Sequence, residues 1–114
     1  MKIVINGDYG EFGLSENAIE RYFKLKGWKL VKAKESDILM DSYYTNSISD
    51  DNYWSYYYLE RDDPTLVQVV EELHEVADGR FSELKIVEIP DDVDWTIEEY
   101  DGVEWIAEKH RTWE

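Results

Sequence analysis

A chain of 114 residues with 43% apolar and 15% aromatic side chains is long enough for one hydrophobic core and too short for two, and this content excludes an acidic disordered polymer despite 34% charged residues. Cysteine is absent, which excludes a disulfide framework and a thiolate zinc site. The net charge of −15 is uneven: residues 1–34 carry seven Lys/Arg against four Asp/Glu, residues 35–114 five against twenty-three, so most of the surface repels phosphate backbones and direct nucleic-acid binding is disfavoured.

The first residues, MKIVINGDYG, hold one Lys and three consecutive apolar residues. They resemble neither a signal peptide nor a membrane anchor, so a single domain over 1–114, cytoplasmic and without a membrane partner, is expected. The β-branched run KIVIN reads as a strand that stops at Gly7. Gly7, Gly10 and Gly13 then space a loop that leads to Ser15, a helix N-cap, with Leu14 placed to staple onto Ile19. The helix should run from about 16 to 26, carry Ile19, Tyr22 and Phe23 on one stripe, and stop at a left-handed Gly27. Strand, glycine loop and helix start invite comparison with a phosphate loop, but the spacing matches no phosphate fingerprint and Asp8, Glu11 and Glu16 oppose an anion. An ordinary tight connection is the reading.

Residues 28–33 (WKLVKA) alternate apolar and Lys, the pattern of a half-buried strand, and 37–44 (DILMDSYY) reads as another. Between 43 and 58 lie seven aromatics, Tyr43, Tyr44, Tyr53, Trp54, Tyr56, Tyr57 and Tyr58, interrupted by a polar segment. A hairpin with a long loop is expected there. Its rings either stack a flat ligand or anchor a partner, or face the core of a small sheet, and both hold if the rings divide between strand faces.

Asp63 and Pro64 form an N-cap and first helical residue. A helix ending at Gly79, with Leu66, Val69, Val70, Leu73, Val76 and Ala77 as its apolar stripe, follows; Glu72 and Glu75 read as part of its solvated surface and His74 as its flank. Residues 82–89 form a strand halted by Pro90. Asp101-Gly102 marks a type I′ hairpin in which Tyr100 faces Val103, Glu98 faces Trp105, Ile97 faces Ile106 and Glu99 faces Glu104. Both hairpin faces then carry apolar rings, so the hairpin is sandwiched, or joins a dimer or ligand surface. The fold class expected is α+β: a mostly antiparallel five- to six-stranded sheet with two helices on one face.

The MKIVIN start, the YGEFGLS stretch before a helix, the RDDP helix start and above all ELKIVEIPDDVDWTIEEYDGVEWIAEKHRTW resemble a family of small proteins encoded by tailed phages and prophages, to which no activity is attached. The likeness covers both ends of the chain, is strongest over 61–113 and does not extend over 34–60. Where the family has YGGF, this chain has Tyr9, Gly10, Glu11 and Phe12. The resemblance implies a viral accessory role in the host-cell cytoplasm and carries over no catalytic residue.

Three functional readings follow. The first is a non-catalytic binding protein, without cofactor or metal, that counteracts host defence by sequestering a small nucleotide-like ligand or capping a host protein. Its candidate cations are Arg61, Arg80, Lys109 and Arg111, beside the rings Tyr100, Trp105 and Trp113, with Tyr53, Trp54 and Tyr56 as a second place for a ligand. Convergence of Arg80 with the basic tail is part of that expectation, and a homodimer is a further one. The second is an acidic nucleic-acid mimic that presents Asp91, Asp92, Asp94 and Asp101 to a basic groove. The third is a small carboxylate-dependent enzyme.

Overall fold

The computed structural model describes residues 1–34 and 41–109. Strand β1 (Lys2–Asn6) is the opening β-branched run, and from Ile3 to Asn6 it is buried. Helix α1 (Glu16–Lys26) starts where the Ser15 hydroxyl accepts the Ala18 N–H and ends at Gly27 with φ 73°. The cap residues therefore set both ends, and Ala18, Ile19, Tyr22 and Phe23 supply the buried stripe. Three strands follow: β2 (Leu30–Ala33), β3 (Ser42–Thr45) and β4 (Tyr53–Trp54). The expected strand over 37–44 lies partly outside the described residues. Trp28 stands before β2 rather than within it, 40% exposed, with its edge contacts on Tyr22 and Phe23.

Helix α2 (Pro64–Leu73) begins as its cap predicts, the Asp63 carboxylate accepting the Thr65 N–H. It stops earlier than expected. His74 takes φ 51°, and a 3₁₀ turn (His74–Ala77) replaces the last helical turn, leaving Val76 exposed rather than in the stripe. Tertiary bonds account for the early stop: the Ala77 carbonyl accepts the Ser15 N–H, Asp78 bridges to Leu14, and the Gly79 N–H donates to the Gly13 carbonyl. A continued helix would hold those groups in its own ladder. Strand β5 (Leu84–Glu88) and the hairpin of β6 (Trp95–Tyr100) and β7 (Val103–Glu108) follow.

The class is α+β and, among the described residues, every strand pairing is antiparallel, but the expected single sheet is replaced there by three small ones: β1–β5, β2–β3–β4 and β6–β7. The reason lies at the outer edge of β1. Its Val4 N–H donates to the Arg61 carbonyl, and its Asn6 N–H donates to the Glu104 carboxylate. A loop carbonyl and a β7 side chain thus occupy positions that a third strand would need, and the hairpin docks on β1 without joining its ladder.

One core joins the parts. Val4 on β1, Leu66, Val69 and Val70 on α2, Ile19, Tyr22 and Phe23 on α1, and Trp54 on β4 form a single buried cluster, with Leu84 and Ile86 of β5 packed against it. The Phe23 and Trp54 rings meet edge-on at 4.9 Å. The hairpin register agrees with the sequence at all four named pairs. Asp101 and Gly102 both have positive φ, at 50° and 88°, as a type I′ turn requires.

Candidate interaction surface

The aromatic run divides between two faces of a short sheet. Tyr43 opposes Trp54 and Tyr44 opposes Tyr53, so strand alternation sends the first pair one way and the second the other. Trp54 is buried and Tyr43 packs on the core. On the outer face Tyr44 and Tyr53 meet edge-on at 5.8 Å, and Tyr53 meets Tyr58 at 6.2 Å. Tyr58 is brought there by a 3₁₀ turn (Tyr56–Tyr58) capped by the Ser55 hydroxyl. Tyr57 lies on Tyr56 at 4.6 Å, and Tyr56 turns its ring edge-on to the buried Phe12 at 6.0 Å. Tyr57 and Tyr58 are about 60% exposed, and Ile48 from the β3–β4 connection is equally bare. Beside them is a shallow cleft of about 210 Å³ between Tyr43, Tyr53 and Tyr56. The core-facing reading therefore holds for Tyr43 and Trp54, while Tyr44, Tyr53 and Tyr58 lie on the outer face.

Among the described residues, two of the candidate cations, Arg61 and Arg80, stand over phenylalanine rings and beside carboxylates. Arg61 is fully engaged: its guanidinium grips Glu104 in a fork at 2.7 and 2.9 Å, donates to the Val4 carbonyl at 3.3 Å and stacks 3.5 Å from the Phe12 ring centre. Arg80 stands over Phe81 at 5.3 Å, in a groove it shares with Tyr9 and four carboxylates, Asp8, Glu75, Asp78 and Glu83. That field repels an anion. Tyr100 is exposed near the hairpin turn, and Trp105 is half-exposed with its indole N–H on Glu98 at 3.1 Å.

Arg80 and Lys109 lie toward opposite ends of the hairpin. The Asp101 carbonyl at the turn accepts the Gly10 N–H, and the adjacent Glu11 N–H donates to the Phe81 carbonyl, which puts Arg80 at the turn end. The Lys109 N–H donates to the Asp94 carbonyl at the open end. Six strand residues span about 20 Å, so the two charges do not converge. Arg111 and Trp113 lie outside the described residues.

Comparison with protein-family models, curated proteins and solved structures finds no match for this chain. Among the described residues there is no group of three or more His, Asp or Glu placed to hold a metal ion, and no helix is long and apolar enough to cross a membrane.

The acidic candidates are also divided. Asp91, Asp92 and Asp94 are exposed at the open end of the hairpin, and Asp101 is exposed at its turn. Asp91 pairs with the N-terminal ammonium at 2.6 Å, which holds its carboxyl below the usual carboxylate range. On α2, Glu72 takes Arg21 at 2.7 Å and Gln68 at 2.9 Å, hydrogen bonds that lower its pKa in the same way.

A buried polar node escaped the sequence reading. Asn6 is fully buried; its amide donates to the Asp8 and Gly102 carbonyls at 2.8 Å and its side-chain oxygen accepts the Glu83 N–H at 2.8 Å. With Arg61 and Glu104 it fastens the hairpin to β1 and to the glycine loop. Of these, Asn at the end of a strand before Gly was the one visible signal. The loop itself is filled by packing: a Cβ on Gly10 would fall 2.1 Å from the Phe81 carbonyl oxygen, and the Gly10 and Glu11 amides are already bonded. The tight-connection reading of that loop accounts for these contacts without a phosphate.

Proposed function

We propose that this protein is a non-catalytic binding protein that caps a partner protein through the tyrosine face of β3, β4 and the 3₁₀ turn Tyr56–Tyr58. The observation that carries the reading is the outward line of Tyr44, Tyr53 and Tyr58, with Tyr57 and Ile48 exposed beside it. Tyrosine buries a large ring while its hydroxyl stays hydrated, at low entropy cost, which is why such clusters make protein contacts. Protein capping is favoured over sequestration of a nucleotide because Arg61 is consumed by Glu104 and Arg80 is surrounded by carboxylates. With the resemblance to phage-encoded proteins, the partner is a host protein met in the host cytoplasm.

Acidic mimicry is the second reading. Asp92, Asp94 and Asp101 support it by being exposed on one hairpin. It differs in requiring steep salt dependence.

The test is a comparison of the parent with a Tyr53→Ser, Tyr57→Ser, Tyr58→Ser variant, whose changes lie at exposed rings. Both are purified from host extract, and retained protein and heat-released nucleotide are measured. Loss of a stoichiometric protein partner in the variant, at unchanged melting temperature, supports capping. Released nucleotide retained by both forms points to sequestration, and a partner lost only on neutralising Asp92, Asp94 and Asp101 points to mimicry.

A further inference from the structure

Among the described residues the outer edge of β5 carries no further strand, and a groove runs beside it. In the β1–β5 ladder, Ile3 pairs with Val87 and Ile5 with Lys85, continued by the Gly7 N–H on the Glu83 carbonyl and the Ile89 N–H on the Met1 carbonyl. The β1 residues of the other parity, Val4 and Asn6, send their N–H groups away from β5. Antiparallel geometry then makes Val4–Ile86 and Lys2–Glu88 the pairs without ladder bonds, so the N–H and C=O groups of Ile86 and Glu88 point outward. They have no backbone partner on that side among the described residues, whereas the Leu84 N–H is held by Asp78 at 2.8 Å. The groove, about 430 Å³, lies between this edge and the end of α2, with Val70, Leu84 and Ile86 along it. Glu71, Glu75, Asp78 and Glu83 line it as well, against the one cation Lys85, and none of Glu75, Glu83 and Glu88 forms an ion pair among the described residues.

We infer that the β5 edge accepts an extended basic segment of a partner protein by strand addition, with alternate apolar side chains in the groove and Lys or Arg side chains along its acidic rim. This surface is separate from the tyrosine face and does not depend on it. An added strand lies about 4.8 Å from β5 and repeats side-chain direction every second residue, which seats one row beside Ile86. Charge complementarity selects the occupant. A second copy of β5 paired antiparallel about Ile86 would bring two sets of Glu75, Glu83 and Glu88 together on chains that each carry a net −15, whereas a basic strand neutralises them.

The test uses the full chain, labelled with ¹⁵N, and the peptide Lys-Val-Lys-Val-Lys-Val-Lys, with Glu-Val-Glu-Val-Glu-Val-Glu as control. The basic peptide should slow amide exchange at Ile86 and Glu88 and leave Lys85 and Val87, already in the ladder, unchanged. Glu88→Pro removes an outward N–H and no β1 ladder bond, so affinity should fall at least tenfold, well below that of Glu88→Gln, which removes the same charge and keeps the N–H. Methylation of the central peptide nitrogens gives an independent reading if the proline variant misfolds, and should also abolish binding. Equal affinities for Glu88→Pro and Glu88→Gln, binding without protection at Ile86 and Glu88, or no binding at about 1 mM peptide would each overturn the proposal. So would protection of the same two amides that grows with protein concentration alone, since the edge would then belong to a second copy.

Discussion

Glu99 and Glu104 stand directly opposite each other in the β6–β7 ladder, yet each carboxylate has its own positive or N–H partner. Glu99 accepts the Gly102 N–H at 3.1 Å, and Glu104 takes the Arg61 guanidinium and the Asn6 N–H. Like charges opposed across strands ordinarily destabilise a hairpin. Here the arrangement anchors it, because one carboxylate closes the turn while the other reaches the edge of β1.

The first prediction concerns that anchor. Arg61 and Glu104 are 20% and 10% exposed, so Glu104→Ala leaves a largely buried guanidinium and an unpaired Asn6 N–H. The expected loss is about 3 kcal/mol in urea unfolding. Adding Arg61→Met should restore part of it, since the stranded charge is then gone. A loss under about 1 kcal/mol, or strict additivity of the two changes, would show that the pair does not hold the hairpin.

Two glycines give a controlled comparison. Gly102 has φ 88° and its Cβ would fall 1.8 Å from the Gly10 carbonyl oxygen, whereas Gly27 has φ 73° and open space around it. Gly27→Ala should cost about 1 kcal/mol from conformation alone. Gly102→Ala should cost more than about 2 kcal/mol, because the glycine loop must also shift. Equal shifts in melting temperature would mean that the turn is not seated on Gly10.

Asp63 uses both carboxylate oxygens, one on the Thr65 N–H at 2.8 Å and the other on the Tyr22 hydroxyl at 2.6 Å. Asp63→Ala should therefore cost about 2 kcal/mol, roughly half from the cap and half from the stranded hydroxyl. Tyr22→Phe alone should cost about 1 kcal/mol. If Asp63→Ala costs no more than the cap, the Tyr22 bond contributes nothing.

What the sequence made legible was local. Ser15, Gly27, Asp63-Pro64 and Asp101-Gly102 act within a few residues of themselves, so the helix starts, the end of α1 and the hairpin register could be read directly. The division into three sheets could not, because it depends on Arg61 and Glu104, 43 residues apart, and on Asn6, which looks like an ordinary residue at a strand end. The early end of α2 was hidden for the same reason: residues 74–78 carry a helical pattern, and bonds to residues 13–15 override it. For the site, the unusual tyrosine content was visible, but which rings face outward followed only from pairing Tyr43 with Trp54 and Tyr44 with Tyr53. Arg61 looked like a free cation because the sequence does not show its partner.

The Tyr22 contact also gives a pH signature. Burial, and then the hydrogen bond to the Asp63 carboxylate, raises the Tyr22 phenol above its ordinary value, since a phenolate there would be both desolvated and placed against a negative charge. In the unfolded chain the phenol titrates near about 10. A group whose folded pKa lies above its unfolded value contributes stability that is fully present below the unfolded pKa and is lost as pH rises toward the folded one, because the unfolded chain releases its proton first. The stabilisation from Tyr22 is therefore complete at neutral pH and should decline above about pH 10. Urea unfolding across the alkaline range should show a steeper fall for the parent than for Tyr22→Phe, which has no proton to lose at that position. Parallel curves would place the Tyr22 hydroxyl in water, away from Asp63.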